Sequence, residues 1–211
     1  MQNRLPPLPT SERAKQTEEL MRNRETDVDR WREFDNLATQ WDERAAMAAK
    51  LIGENQRVLD IGAGAMALGT LLPNNCTYTP ADVVERCPSC QVVDLNKQQF
   101  PTGYYDWVTF LGVLEYVHDI TWPLRKALNA ASRLVVTYCA NIGAATAGRR
   151  GLGWVNDYSK RDFEELLTSV GWKIESCSEV KRGPTNIQYM YSCIAHQRDD
   201  CIKQVSMKKV F

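Results

Sequence analysis

The sequence predicts an α/β protein. The expected fold is Rossmann-like, with a seven-stranded mixed sheet of six parallel strands and one antiparallel strand. Helices are expected on both faces and at the N-terminus. Three observations carry that reading. Short apolar runs alternate with helical patterns from Arg57 onward. The first run ends in a glycine-rich turn. The last two runs alternate and flank a turn with Gly183 and Pro184, so one closing strand opposes the rest.

The elements follow in order. Residues 1–29 are polar, with early prolines and interleaved charges, and are expected as a flexible or helical extension. Residues 30–197 are expected as the folded domain, and 198–211 as a tail. Trp31, Phe34, Leu37, Trp41, Ala45, Met47, Ala48 and Leu51 recur at helical spacing, which predicts one helix or two with a break. Arg57–Ile61 is a short buried strand running into Gly62 and Gly64, with a helix over Ala65–Leu72 stopped by Pro73. Further strands are predicted at Thr77–Asp82, Gln91–Val93, Tyr105–Leu111 and Arg133–Cys139, with a helix over Trp122–Ala131. Ser159-Lys-Arg-Asp162 reads as a capping box that opens a helix ending near Val170, with Gly171 as its stop. Trp172–Val180 and Ile187–Ala195 form the closing hairpin.

Composition bounds the function. The 211 residues suffice for one domain with a substantial core. Lys plus Arg and Asp plus Glu both number 26, so the formal net charge is zero and a general polyanion binder is disfavoured. No apolar run has membrane-spanning length, and residues 1–10 lack the apolar core of a signal peptide, so a cytoplasmic setting is expected. The seven cysteines, odd in number and irregularly spaced, are expected as free thiols. Cys87-Pro-Ser-Cys90 is a lone CxxC, and His118 and His196 are far apart in sequence, so no metal is expected.

The segment Val58-Leu-Asp-Ile-Gly-Ala-Gly-Ala-Met-Ala-Leu68 carries the chemistry. Gly62 and Gly64 permit a sharp turn and close approach of the backbone to a ligand. Taken literally, Gly62-x-Gly64-x-x-Ala67 also satisfies a loose dinucleotide pattern. Asp60 separates the two readings. A carboxylate at that strand end repels a pyrophosphate and suits a cationic ligand, such as the ammonium of a methionine moiety. S-adenosylmethionine carries that ammonium and a sulfonium, and no phosphate. Asp82, ending the second strand, suits ribose hydroxyls, and Asp94, after the third, suits an adenine amino group.

These segments resemble class I S-adenosylmethionine-dependent methyltransferases over about residues 35–195. Val58–Gly64 is similar to their first motif, Tyr78–Asp82 to the second-strand motif, and Val93-Asp94-Leu95-Asn96 to the adenine-side motif. Tyr105–Val108 and Leu111–Asp119 are similar to the fourth strand and its loop. The glycine loop also looks like that of small-molecule members linked to methionine and cell-surface polysaccharide biosynthesis. The resemblance implies a cofactor site of Arg44, Asp60, Gly62, Ala63, Gly64, Asp82, Val83, Asp94, Leu95, Leu111 and Gly112. It places Arg44, in Trp41-Asp42-Glu43-Arg44, near the methionine carboxylate. The sequence departs from the pattern at Met66, where the third glycine usually stands.

Methyl transfer from a sulfonium needs alignment above all. An O–H or ammonium acceptor also needs a base, for which His118 is the candidate. The stretch 141–158, rich in glycine, is expected as a mobile loop over the acceptor. Tyr116, Arg149, Arg150, Trp154, Asn156 and Tyr158 are its candidate acceptor contacts, the arginines for an anionic group. The expected partners are a small-molecule or saccharide acceptor, with no nucleic acid and no membrane, and a homodimer is the assembly to test for. Two other classes stay open: a cofactor-binding partner protein with weak turnover, and an NAD-dependent oxidoreductase, which Asp60 disfavours.

Overall fold

A computed structural model describes residues 10–33, 37, 42–143 and 146–196. Phe34, Trp41, Cys201 and the expected tail from 198 lie outside the described residues. The helices are α1 (Thr10–Asn23), α2 (Val28–Arg32), α3 (Asp42–Ala49), α4 (Ala67–Leu71), α5 (Thr121–Ala130), α6 (Thr146–Gly151) and α7 (Lys160–Val170). The strands are β1 (Arg57–Ile61), β2 (Thr77–Asp82), β3 (Gln91–Val92), β4 (Tyr105–Leu111), β5 (Ala131–Asn141), β6 (Trp172–Arg182) and β7 (Asn186–Ala195).

The sheet order is β3-β2-β1-β4-β5-β7-β6, with β7 antiparallel to both of its neighbours. The expected mixed sheet is what forms. Alternation sorts side chains to the two faces. Leu59, Ile61, Val108, Phe110, Leu134 and Val136 pack with Leu124 of α5 and Phe163 and Leu167 of α7. Val58, Trp107, Val135 and Met190 pack on the other face with Ala45, Ala48 and Leu68 of α3 and α4. All are buried, and each large apolar side chain removed from water contributes roughly 1.5–3 kcal/mol.

The capping box forms as read. The Ser159 hydroxyl accepts from the Asp162 N–H, and the Asp162 carboxylate accepts from the Ser159 N–H. Gly171, at φ 112°, ends α7. Two expectations are corrected. The segment after β5 carries α6, which packs against α1 instead of hanging free: buried Thr17 donates its hydroxyl to the Arg150 carbonyl over 2.9 Å. α4 begins only at Ala67, because Met66 takes a left-handed conformation at φ 59°. Its side chain does not line the cleft described below.

Candidate functional site

The order of strands reverses between β1 and β4, and open α/β sheets bind ligands outside the carboxyl ends at such a point. A cleft of about 1030 Å³, including the open solvent at its mouth, lies there. That is at the upper end of the range for small-molecule sites. It is lined from β1 by Asp60, Gly62, Ala63 and Gly64, and from β2 by Asp82 and Val83. Asp94 and Leu95 follow β3, Leu111 and Gly112 close β4, and Arg44 enters from α3. Every residue expected to hold the cofactor therefore faces one space.

Asp60 is 3% exposed and belongs to the sheet. Its β4 neighbour in register, Thr109, donates a hydroxyl to Oδ1 over 2.6 Å, and Tyr78 of β2 donates to Oδ2 over 2.7 Å. Burial raises the Asp60 pKa, the two hydroxyls oppose that rise, and nearby Asp82 adds to it. A cation entering the cleft would relieve both the burial and the repulsion.

Asp82 is fixed by three donors. The Gly64 N–H reaches Oδ2 at 2.9 Å, and the Val84 N–H and Arg86 Nη2 reach Oδ1 at 3.1 and 3.3 Å. Asp94 is split in function. Its Oδ1 accepts from Thr26 at 2.6 Å and from the Asn96 N–H at 3.0 Å. Its Oδ2 is buried and accepts no hydrogen bond, with Lys97 Nζ loosely paired at 3.8 Å. An orphaned carboxylate oxygen on a cleft wall suits an amino donor.

Gly62 and Gly112 both have left-handed backbone, at φ 73° and 77°. A Cβ on Gly112 would stand 2.1 Å from Arg44 Nη1, so the guanidinium rests directly on that glycine. Burial lowers the Arg44 pKa, and Glu115 opposes the shift.

The acceptor-side expectations fare differently. Tyr116 lines the cleft, in edge contact with Trp31 at 4.9 Å between ring centroids. His118 does not line it. Its N–H donates to Asn96 Oδ1 at 2.9 Å, and its ring Nε2 lies 3.0 Å from the Glu25 carbonyl. Arg149 and Arg150 are buried and occupied. Arg149 spends its three nitrogens on Asp157, the Cys139 carbonyl and the Asn156 carbonyl. Arg150 binds Asp157 and the Trp154 carbonyl. Neither is placed to meet an anionic acceptor. Trp154 packs under the Arg149 guanidinium. Asn156 Nδ2 donates to the Leu114 and Val117 carbonyls, and its Oδ1 accepts from Tyr138. Tyr158 donates its N–H to the same Tyr138 hydroxyl. These residues brace the loop after β4 from behind.

Sequence reasoning missed Thr26, Trp31 and Arg86 on the cleft wall. It also missed Asn96 as a junction, whose Nδ2 donates to Thr26 Oγ1 at 2.9 Å and to the Tyr116 carbonyl at 3.1 Å. Asn96 stands inside the Val93-Asp94-Leu95-Asn96 motif, and its polar amide beside Asp94 is the available signal. Thr26 and Trp31 carried none, because their partners lie far along the chain.

A family model described as a methyltransferase domain matches residues 29–176. The 1,6-didemethyltoxoflavin N1-methyltransferase of Burkholderia thailandensis, solved with 1,6-didemethyltoxoflavin and S-adenosylhomocysteine, is similar at TM-score 0.63 and 15% identity. The match covers 92% of this chain and 94% of that one. Magnesium protoporphyrin IX methyltransferase from Synechocystis, with bound S-adenosylhomocysteine, gives TM-score 0.56 at 17% identity over 74% and 81% of the two chains. Mitomycin 7-O-methyltransferase gives 0.60 at 19% identity over 89% and 69%. No curated protein sequence matches the chain.

Proposed function

The chain belongs to the methyltransferase domain family, and from that premise we propose that it moves a methyl group from S-adenosylmethionine to a small-molecule or saccharide acceptor by in-line displacement. One observation carries the reading: the cleft presents a buried carboxylate, Asp60, at a glycine turn, with the Arg44 guanidinium seated on Gly112 in the same space. That pair suits the ammonium and carboxylate of an amino acid. A diphosphate would meet Asp60 as a like charge.

The remaining residues fit the nucleoside half. Asp82 offers its carboxylate to a ribose diol, and the free Oδ2 of Asp94 offers an acceptor to an adenine amino group. When bound, S-adenosylmethionine supplies a methyl group already activated on a sulfonium. The chain's residues then have to align, orient and exclude water. Gly62 and Gly64 let the backbone approach, Tyr116 and Trp31 wall the acceptor side, and Asn156 holds the loop that carries Tyr116.

Calorimetric titration of the full chain with S-adenosylhomocysteine and with NAD tests the reading. Saturable binding of the first, with none of the second, is expected. Binding of NAD alone would overturn it. A labelled-methyl screen against metabolite extracts then identifies the acceptor.

A further inference from the structure

The segment between β2 and β3 holds a dithiol beside the cleft. Cys87 and Cys90 stand at the two ends of a turn around Pro88 and Ser89, closed by the Cys90 N–H donating to the Cys87 carbonyl over 2.9 Å. The ends of such a turn lie within about 7 Å at Cα. A disulfide spans about 4.4–6.8 Å. Cys87 is partly exposed, with Sγ 3.2 Å from Ser89 Oγ. Cys90 is buried, and its thiol makes only long contacts of 3.9 Å with the Val84 and Gln91 carbonyls. Turning the sulfurs toward each other gives up the Ser89 contact of Cys87 and the two long contacts of Cys90.

The two thiols differ in character. The hydrogen bond with Ser89 holds Cys87 below its usual value, while burial pushes Cys90 up. Burial likewise raises Cys139, Cys177 and Cys193. An accessible thiol with lowered pKa is the attacking group in disulfide exchange, and a neighbour three residues away is placed to resolve it.

The turn is joined to the cleft through Arg86. That side chain is 5% exposed, lines the cleft and lies 3.3 Å from Asp82 Oδ1. Its Nε is buried without a hydrogen-bond partner, and the Cys90 sulfur lies 3.9 Å from the Val84 carbonyl. The Val84 N–H binds the same Asp82 oxygen. The orientation of Asp82 therefore depends on residues 84–86, which the turn holds from the other side.

We propose that Cys87 and Cys90 are a reversible redox site that takes a low-molecular-weight disulfide as oxidant, and that its closure weakens ligand binding at Asp82. The Cys87 thiolate attacks one sulfur of the oxidant, forming a mixed disulfide and releasing one thiolate. Cys90, losing its proton, then attacks the Cys87 sulfur and releases the second thiolate. Two protein thiols are oxidised by two electrons, the external disulfide is reduced to two thiols, and the two protons pass to them. The coupling to ligand rests on the function proposed above; the exchange reaction does not.

The test uses the full chain, reduced, desalted and then incubated with oxidised glutathione. Intact mass, peptide mapping and calorimetry with S-adenosylhomocysteine are the readouts. The wild type should lose the mass of two hydrogen atoms at the 87–90 peptide and regain it with dithiothreitol. Cys90→Ser should keep a glutathione adduct on Cys87, and Cys87→Ser, changed at a partly exposed side chain, should form no 87–90 disulfide. Oxidised wild type should bind S-adenosylhomocysteine at least about fivefold more weakly than reduced, the lower end of ordinary coupling between sites. Cys87→Ser should bind equally under both conditions. A mapped peptide without the 87–90 disulfide overturns the proposal, and so does a disulfide that leaves affinity unchanged. If even the reduced wild type ignores S-adenosylhomocysteine, the functional reading and the coupling fall together, while the mass measurement still decides the disulfide.

Discussion

Thr109 stands in register with Asp60 on the adjacent parallel strand and gives its hydroxyl to Asp60 Oδ1 over 2.6 Å. The sheet itself thus aims the cleft's central carboxylate. Burial sets the folded pKa of Asp60 above its unfolded value. Its ionisation therefore costs stability to the ligand-free fold as pH rises through the raised value. A bound ammonium reverses the preference, so affinity for S-adenosylhomocysteine should be full above the raised pKa and fall as pH drops through it. Tyr78→Phe removes one of the two hydroxyls that oppose the rise. In calorimetry over a descending pH series, the variant should lose affinity at higher pH than the wild type. Superimposable profiles would remove the ammonium from Asp60. Asp60→Asn should cost about 1.5–3 kcal/mol of binding, the range for a charged hydrogen bond.

Gly112 and Arg44 form the second test. An alanine at 112 places a Cβ 2.1 Å from Arg44 Nη1 and must also hold φ near 77°. The backbone penalty is about 1–2 kcal/mol. Thermal denaturation should therefore show a drop of roughly 2–8 °C for a chain of this size. Displacement of the guanidinium should separately weaken S-adenosylhomocysteine by about tenfold, a loss of about 1.4 kcal/mol. Arg44→Ala should produce the same affinity loss, and the double variant should add little more, as for residues acting through one contact. Additive losses would mean that Gly112→Ala acts by a route other than Arg44, and unchanged affinity in Arg44→Ala would mean that Arg44 does not reach the ligand.

Much of this arrangement was legible because it is local. Asp60, Asp82 and Asp94 each sit at or just after the end of a short apolar run, and the sheet order brings those ends together. The capping box at Ser159 and the hairpin around Gly183 are likewise spelled by neighbouring residues. Boundaries were less so. β5 starts at Ala131 with no loop after α5, because alanines continue a helix and enter a strand equally well in sequence. The two acceptor-side arginines were illegible for a different reason. A guanidinium reaches solvent or folds back on a carboxylate with the same local sequence, and Arg149 and Arg150 fold back on Asp157. The contacts of Thr26 with Asp94 and of His118 with Glu25 join distant segments, which periodicity does not report.

Arg149 is expected to matter for stability. It is fully buried, and its removal takes a donor from the Cys139 and Asn156 carbonyls and leaves Asp157 with Arg150 alone. Breaking a buried ion pair costs about 3–5 kcal/mol, and partial solvation of Asp157 argues for about 3 here. Urea denaturation of Arg149→Met should show that loss. A stable variant with weakened acceptor binding alone would return Arg149 to the acceptor site.

His118→Ala separates base catalysis from a structural tie. With the ring nitrogen against the Glu25 carbonyl, the variant should release the segment before α2. Turnover on the identified acceptor should keep kcat within about twofold, with KM for the cofactor raised, since a lost uniform-binding contact changes KM and not kcat. A fall in kcat of about a hundredfold, the low end for a general base, would restore the catalytic role.

Thr26 gathers these threads at one hydroxyl. It donates to Asp94 Oδ1 over 2.6 Å and accepts from Asn96 Nδ2 over 2.9 Å, so it ties the segment between α1 and α2 to the adenine side of the cleft. Asn96 in turn holds the Tyr116 carbonyl and the His118 N–H. Thr26→Val keeps the shape and removes the hydroxyl, leaving a buried acceptor and an amide donor short of a partner. Each such group costs about 1–3 kcal/mol if it stays dry. The α1–α2 segment can open to rehydrate them, so the cost should appear as opening. Hydrogen exchange over residues 10–32 should quicken, and S-adenosylhomocysteine affinity should fall by about tenfold, equivalent to about 1.4 kcal/mol. Thr26→Ser, which keeps the hydroxyl, should restore both. If Thr26→Val exchanges and binds as the wild type does, the N-terminal segment is bystander to the cleft, and the wall contributed by Trp31 has to be explained without it.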